Sequence, residues 1–486
     1  MFAHQDEVAE LERICAAPEA SVGQQIALAW HLRQRNTQRA IFLAEQCLAK
    51  LDDAGLRARL HLVQGEGEWL MARFDTAHTL ARDALLQFTS LDDACGCCDA
   101  HWLLSAIALD QGQHQTSNLA LQAASLAARQ GEDPLRAAIC DAAQARWAIL
   151  SDAQLGNAQW GHALDFALAE TEPSLAAWTE DFLALRASQM SDYGHAAMHF
   201  MQAHHAALSS GQLRAAIIAC TNMAEDFTKL SDHHAALEQF QHALELARPT
   251  RWPRSIGACL MHTADTMRCL GRLDAAQELL QEALQVMQPL VAARSYAHAL
   301  QYMGDLALDR NEPSVALENF RRLEQRADAL QQSDFKGVAL RGQAHALASL
   351  GQGDEAEQVA QAGLSLMQKQ GDTYGQIASL EVLAEIHARY VLPLPEPCIA
   401  ASHSLHFLMR AVQLADGIHG YCLPAHLLDM LAREYARVEQ FEAAYQISLQ
   451  ANATRERTHN DQATNRAIAM QISHQTERAR AEGEHH

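Results

Sequence analysis

His195 and His199 stand four residues apart, a spacing that puts two imidazoles on one helical face where they could chelate a metal. His204, His205, His233 and His234 lie near them in the chain. Neither a Cys nor a carboxylate completes a recognised ligand pattern, and a helical chain with 26 His produces such pairs by chance. Cys95-Gly96-Cys97-Cys98 is denser, flanked by Asp93, Asp99 and His101. Without a second pair of ligands it is an incomplete zinc signature, and a redox-sensing thiol is the other chemistry it could supply. The chain has no GxxxxGK, no GxGxxG after a strand, no GxSxG and no HExxH, so the usual carriers of phosphate, nucleophile-elbow and zinc-hydrolase chemistry are missing. These residues assign no catalytic group, no metal and no cofactor. They leave binding as the activity to be explained.

The elements that position the side chains are helices. Aromatics make up only 6% of 486 residues, Ala, Leu and Gln abound, and Gly and Pro fall mainly between helical stretches, which places the chain in the all-α class. A small residue recurs at Ala145, Ala184, Ala224, Ala264, Gly304, Ala344 and Ala384, in steps of 39 and then 40 residues. A second set follows 12 positions behind, at Ala196, Ala236, Ala276, Ala316 and Ala356. Phe200, Phe240, Leu280, Phe320 and Ala360 come four residues later, then Ala203, Ala243, Ala283, Leu323 and Gly363, so each trio shares one helical face. A register of this kind describes stacked helical hairpins, none able to bury its apolar face alone, all sharing one continuous core.

Charge and cysteine usage narrow the partner. With 37 basic and 59 acidic residues the net charge is −22, which disfavours nucleic acid or an anionic membrane and favours a basic protein or peptide. The 11 Cys are scattered among Ala and Leu and read as small buried hydrophobes of a reducing compartment. Met1 to Glu10 lacks a signal-peptide core and no stretch approaches a membrane span, so a cytoplasmic location is expected.

The turns carry a further signature in Asp192-Tyr193-Gly194-His195-Ala196, Gly271-Arg272-Leu273-Asp274-Ala275-Ala276 and Gly351-Gln352-Gly353-Asp354-Glu355-Ala356. Together with the register they resemble the tetratricopeptide repeat over roughly residues 20–451. The resemblance implies a right-handed superhelix of about eleven hairpins. Residues 1–25 would cap it, 26–451 would form it with an insertion near 390–398, and 452–486 would continue as a C-terminal linker helix. Ser105 and Gly65 extend the register toward the N-terminus, and Leu28 occupies the small-residue place of the first hairpin. The fourth hairpin, with Ser151-Asp152-Ala153-Gln154 at its turn, is the most degenerate apart from the first, and Pro393, Pro395 and Pro397 forbid helix in the insertion.

In such a superhelix the first helix of each hairpin lines the concave face, which the family uses to hold extended peptides or partner helices. The position after the small residue faces that groove and holds Glu225, Asp265, Asp305, His345 and Glu385, preceded by Glu66 nearer the N-terminus, an acidic ladder. Thr221, Met261, Gln301, Arg341 and Glu381 lie one turn away, with Asn222, His262 and Tyr302 beside them. Either these groups hold a ligand's main chain and cations, or Arg268, Arg341 and Arg389 neutralise the acids within the chain. Trp102 and Trp178, with Arg146 between them, are either a partner's anchor or part of the core. The family's carboxylate clamp of Lys and Asn is absent because acids stand at its positions.

Leu28-Ala29-Trp30-His31-Leu32-Arg33-Gln34-Arg35-Asn36-Thr37-Gln38-Arg39-Ala40 resembles the first repeat of long bacterial tetratricopeptide sensor regions. Phe441-Glu442-Ala443-Ala444-Tyr445 running on to His474-Gln475-Thr476-Glu477-Arg478-Ala479-Arg480 looks like the helix that joins such regions to a GGDEF diguanylate cyclase. The resemblance implies a ligand-binding sensor that controls a C-terminal output, although no GGDEF motif occurs here; the alternative is a stand-alone scaffold. The terminal stripe Ala463, Ala467, Met470 and His474 would either pair two copies as a coiled coil or remain a solvated helix.

Overall fold

Two local rules set the helices. Asp side chains accept the N–H three residues on at the starts of many of them, as Asp53 does from Leu56 (2.8 Å), Asp93 from Gly96 (2.8 Å), Asp232 from Ala235 (3.1 Å) and Asp372 from Gly375 (2.9 Å). A residue in the left-handed region ends them at a 20-residue rhythm: Ala72, Asp92, Gly112 and Glu132, then Ser191 and Gly211, and later Asn311, Gln331, Gly351 and Gly371. That rhythm is half the repeat. It alternates the turn inside a hairpin with the turn to the next one.

The computed structural model describes all residues except 18–19, 152, 231, 292, 394–399, 418–422 and 458–486. Among the described residues the chain is helical with no strand. After α1 (Gln5–Cys15) come the hairpins α2 (Val22–Leu32) with α3 (Thr37–Leu48), α4 (Ala54–Leu70) with α5 (Phe74–Ser90), and α6 (Ala94–Asp110) with α7 (His114–Gln130). The fourth hairpin is α8 (Pro134–Ser151) with two short pieces, α9 (Ala153–Trp160) and α10 (Phe166–Ala169). Then follow α11 (Pro173–Gln189) with α12 (Tyr193–Ser210), α13 (Leu213–Lys229) with α14 (His233–Ala247), and α15 (Pro253–Cys269) with α16 (Leu273–Val286). The later hairpins are α17 (Arg294–Asp309) with α18 (Pro313–Ala329), α19 (Ser333–Ser349) with α20 (Gly353–Gln370), and α21 (Thr373–Arg389) with α22 (His403–Asp416). Last come α23 (Ala425–Arg437) and a helix over 441–457.

The chain divides into two compact units. Residues 1–270 and 281–295 form the first, and 271–280 with 296–457 form the second. In both, the 40-residue register is the core. Ala184, Ala224, Ala264, Ala344 and Ala384 are fully buried, as are Ala196, Ala236, Ala276, Ala316 and Ala356. The 12-residue offset is a direct contact, visible where the Ser105 hydroxyl donates to the Ser117 carbonyl at 2.9 Å. In the second unit the Phe320 ring fills the space left by Gly304 and Gly342, where a Cβ would come within 2.6 and 2.4 Å of it. Leu28, large where the pattern asks for small, is 1% exposed.

The degenerate fourth hairpin is the one whose second helix breaks, and its turn at Asp152 lies outside the described residues. Gly156 there passes so close to the backbone of Ala148 and Ile149 that a Cβ would sit 2.7 Å from the Ile149 nitrogen. In the insertion, Tyr390 is extended (φ −122°, ψ 140°) and helix resumes at His403, while 394–399 lie outside the described residues. Of the expected linker helix 452–486, residues 452–457 are helical and the rest, including the stripe from Ala463, is outside the described residues. No helix among the described residues is long and apolar enough to cross a membrane.

Candidate functional site

The first unit curls until its beginning meets the end of α12 and the start of α13. Arg35, just after α2, donates to the carbonyls of Ser209 (3.1 Å) and Ser210 (3.2 Å) at the end of α12 and to that of Ala3 (2.9 Å). Gly211 makes this possible: it is left-handed (φ +74°), and a Cβ on it would overlap the Arg35 guanidinium. The Arg214 N–H donates to the Gln34 side chain at 3.1 Å, joining α13 to the first hairpin. A cavity of about 560 Å³ lies inside this turn, within the range of small-ligand sites.

First helices of successive hairpins build its wall, with Trp69 from α4, Trp102 and Asp110 from α6, Arg146 and Trp147 from α8, Trp178 and Asp181 from α11, and Arg214 from α13. Arg254 of α15 and Arg294 of α17 complete it, and Phe2 reaches in from the N-terminal segment. The rings of Trp102 and Trp178 meet edge to face at 5.1 Å. Second partners fix the indoles. Trp178 donates to Gln212 Oε1 at 2.7 Å, Gln212 in turn donates to the Ser174 carbonyl at 3.0 Å, and Trp69 donates to Asp110 Oδ2 at 2.9 Å.

Charge in the cavity is unbalanced. Among the described residues that line it, four arginines face two carboxylates, and Asp110 alone accepts from Arg214 (2.8 Å), from Arg254 and from Trp69. Arg146 pairs with Asp181. Arg214 also lies 4.1 Å from the Trp69 ring centroid, a cation–π contact. Burial, and then repulsion from Arg146, brings the Arg214 pKa down to about 9, and burial brings Arg254 to about 10. Both guanidiniums therefore stay charged at neutral pH, in a place that disfavours the charge.

Of the sequence candidates, Trp102, Arg146 and Trp178 are brought together in this cavity. The others are elsewhere. In the first unit Glu225 pairs with His262 at 2.9 Å and Asp265 with Arg268 at 2.9 Å, while Asn222 is half-buried on α13. Two candidates need correction. Met261 is 2% exposed and belongs to the core, and Thr221 is buried with its hydroxyl donating to the Ile217 carbonyl at 2.8 Å. Short or unbranched side chains one turn from the packing residue are drawn into the helix interface, where only longer polar ones reach out of it. In the second unit Gln301, Tyr302, Arg341, His345 and Glu385 are half-buried, His345 pairs with Glu385 at 3.2 Å, and Tyr302 and Asp305 are engaged with neighbouring groups.

The histidine and cysteine clusters are structural in character. His195 pairs with Asp192 and His199 with Glu180. Asp99 is buried between Arg59 and Arg136, Gly96 lets the Phe88 ring approach, and burial raises the Cys95 thiol, which opposes thiolate reactivity. No group of three potential metal ligands occurs among the described residues. Sequence reasoning missed Arg214, Arg254 and Arg294, although a signal existed: they recur at the 40-residue step in the first turn of α13, α15 and α17.

The described residues define an all-α protein of hairpins resembling the tetratricopeptide repeat, with a cavity in its first unit. Residues 214–288 match the tetratricopeptide repeat family. No curated protein matches the sequence. The fold is similar to the crystal structure of the apo form of RapI, with a TM-score of 0.53 and 9% identity over 75% of this chain and 99% of that one. Weaker likenesses are the Rap conjugation gene regulator of plasmid pLS20 in complex with the Phr* peptide (TM-score 0.46, 14% identity, 72% and 92% covered) and a Rap protein complexed with competence and sporulation factor (0.40, 12%, 90% and 99%). The first establishes a shared fold; the other two carry no argument about ligand or activity.

Proposed function

We propose that this chain is a regulatory binding region whose first unit captures a peptide segment in the tryptophan-lined cavity and whose C-terminal helix passes that event to an output. The observation that carries the reading is the cavity itself, which four indoles and four guanidiniums line from seven different hairpins. An occupant touching that many hairpins would resist changes in their stacking, which is the differential contact a ligand-driven switch requires. The expectation of a basic ligand came from net charge and the acidic ladder; the arginines that line the cavity support the opposite sign.

The output end has its own support. On the helix over 441–457, Phe441, Tyr445 and Leu449 are 66%, 61% and 45% exposed at four-residue spacing, an apolar stripe suited to a following module or a second copy. A GGDEF domain is the output that the linker resemblance suggests, and reading the gene beyond residue 486 checks it. For capture, short peptides are screened by the quenching of tryptophan fluorescence. Binders are expected to lose at least about tenfold in affinity in Trp178→Ala and to be unaffected by Asp305→Lys. Binding indifferent to Trp178→Ala would remove the cavity from the function.

A further inference from the structure

We infer that Arg214, Arg254 and Arg294 form an anion subsite, so that the cavity takes ligands joining an apolar or aromatic body to a carboxylate. The inference rests on the cavity being a binding site and deepens it by naming the ligand's chemistry. The three arginines come from equivalent places in three consecutive hairpins, so the repeat delivers guanidiniums one hairpin apart along one wall. Asp110, on the facing α6, shows which group fits them: a carboxylate that accepts from two of these arginines and from the Trp69 indole at once. With Arg146 held by Asp181, Arg214 and Arg254 share the Asp110 carboxylate, and Arg294 lines the same cavity. A second carboxylate would find planar, multidentate donors already in place and would offset the repulsion that buried like charges impose on one another.

The apolar part of the ligand follows from the other wall. Trp102, Trp147 and Trp178, with Leu109, Leu150 and Ile218, present flat apolar surface, while the polar ends of Trp69 and Trp178 are already satisfied by Asp110 and Gln212. A ring or branched side chain therefore fits there better than a polar one. The carboxylate end and the apolar end lie in one enclosure of about 560 Å³, room for a small aromatic acid or for the last two or three residues of a peptide. These positions differ from the acidic ladder and owe nothing to the Lys and Asn positions of the family's carboxylate clamp.

Two matched probe pairs test this by fluorescence titration: 3-phenylpropionate against its amide, and acetyl-Ala-Ala-Phe with a free C-terminus against the same peptide amidated. Each free acid is expected to bind about tenfold or more tighter than its amide. Arg254→Gln, which leaves Asp110 paired with Arg214 and Trp69, should erase that preference while retaining amide binding and an unchanged helical circular dichroism signal. The tighter of the two acids identifies the source as a free small acid or a peptide terminus. Equal binding of acid and amide would overturn the carboxylate subsite while leaving the cavity as a binding site, provided Trp178→Ala still weakens both. Absence of any binding by the acids, with the peptide screen also insensitive to Trp178→Ala, would overturn both.

Discussion

His262 shows how a single residue in this fold answers to its neighbours. Burial opposes its charge, yet Glu225 at 2.9 Å outweighs burial and raises its pKa above the usual 6.5. A base whose folded pKa is raised contributes stability that is complete below its unfolded pKa and is lost as pH rises through the folded value. Wild type should therefore exceed Glu225→Gln in urea midpoint at pH 6, and the difference should shrink by pH 8.5. A gap that stays constant with pH would mean the pair is not linked to folding. The same contact explains why the acidic ladder is a poor candidate for capturing cations: Glu225, Asp265 and Glu385 already have cationic or imidazole partners within the chain.

Between elements, the decisive quantity is the distance of closest approach, and small residues set it. In the second unit Phe320 on α18 packs where Gly304 on α17 and Gly342 on α19 leave no Cβ, so one aromatic ring ties three helices. Gly342→Ala places a methyl inside that ring's contact distance and should cost about 1–3 kcal/mol, read as a lowered urea midpoint. Phe320→Leu should cost less in the Gly342→Ala background than in wild type, because the smaller side chain relieves the overlap. Strictly additive costs would show that the ring and the glycine do not meet in solution. Elements of the first unit are tied differently, by charge: Asp99 of α6 sits between Arg59 of α4 and Arg136 of α8, which hold its pKa near 2 against burial.

At the scale of the molecule, closure of the first unit turns a row of helix faces into an enclosure. Arg35 joins the beginning of the unit to the end of α12 through carbonyls of Ala3, Ser209 and Ser210. Arg35→Ala leaves those acceptors without their donor and should destabilise the unit by about 1–3 kcal/mol. Amide hydrogens near Arg214 and in residues 2–4 should then exchange faster, and bound ligand should leave sooner. Unchanged exchange in both segments would show that the turn is held shut by packing alone. Phe2 and Ala3 enter the same region, so the segment that precedes α1 is part of the cavity's wall and its lock.

The repeat, its register and its small-residue contacts were legible in the sequence because they are local: Ser105 meets Ser117 through one hairpin turn, and the same spacing recurs down the chain. The degeneracy of the fourth hairpin was legible too, but the break in its second helix was not. Trp102, Arg146 and Trp178 could be singled out by type and place, but whether they were anchor or core depended on what stood opposite. Only the tertiary structure places them in one cavity, since Arg214 and Asp110 are 104 residues apart and Arg35 and Ser210 are 175 apart. Periodicity determines which face each helix turns inward; the curvature that brings distant inward faces together is the sum of small rotations at every hairpin contact, and no short stretch of sequence records that sum.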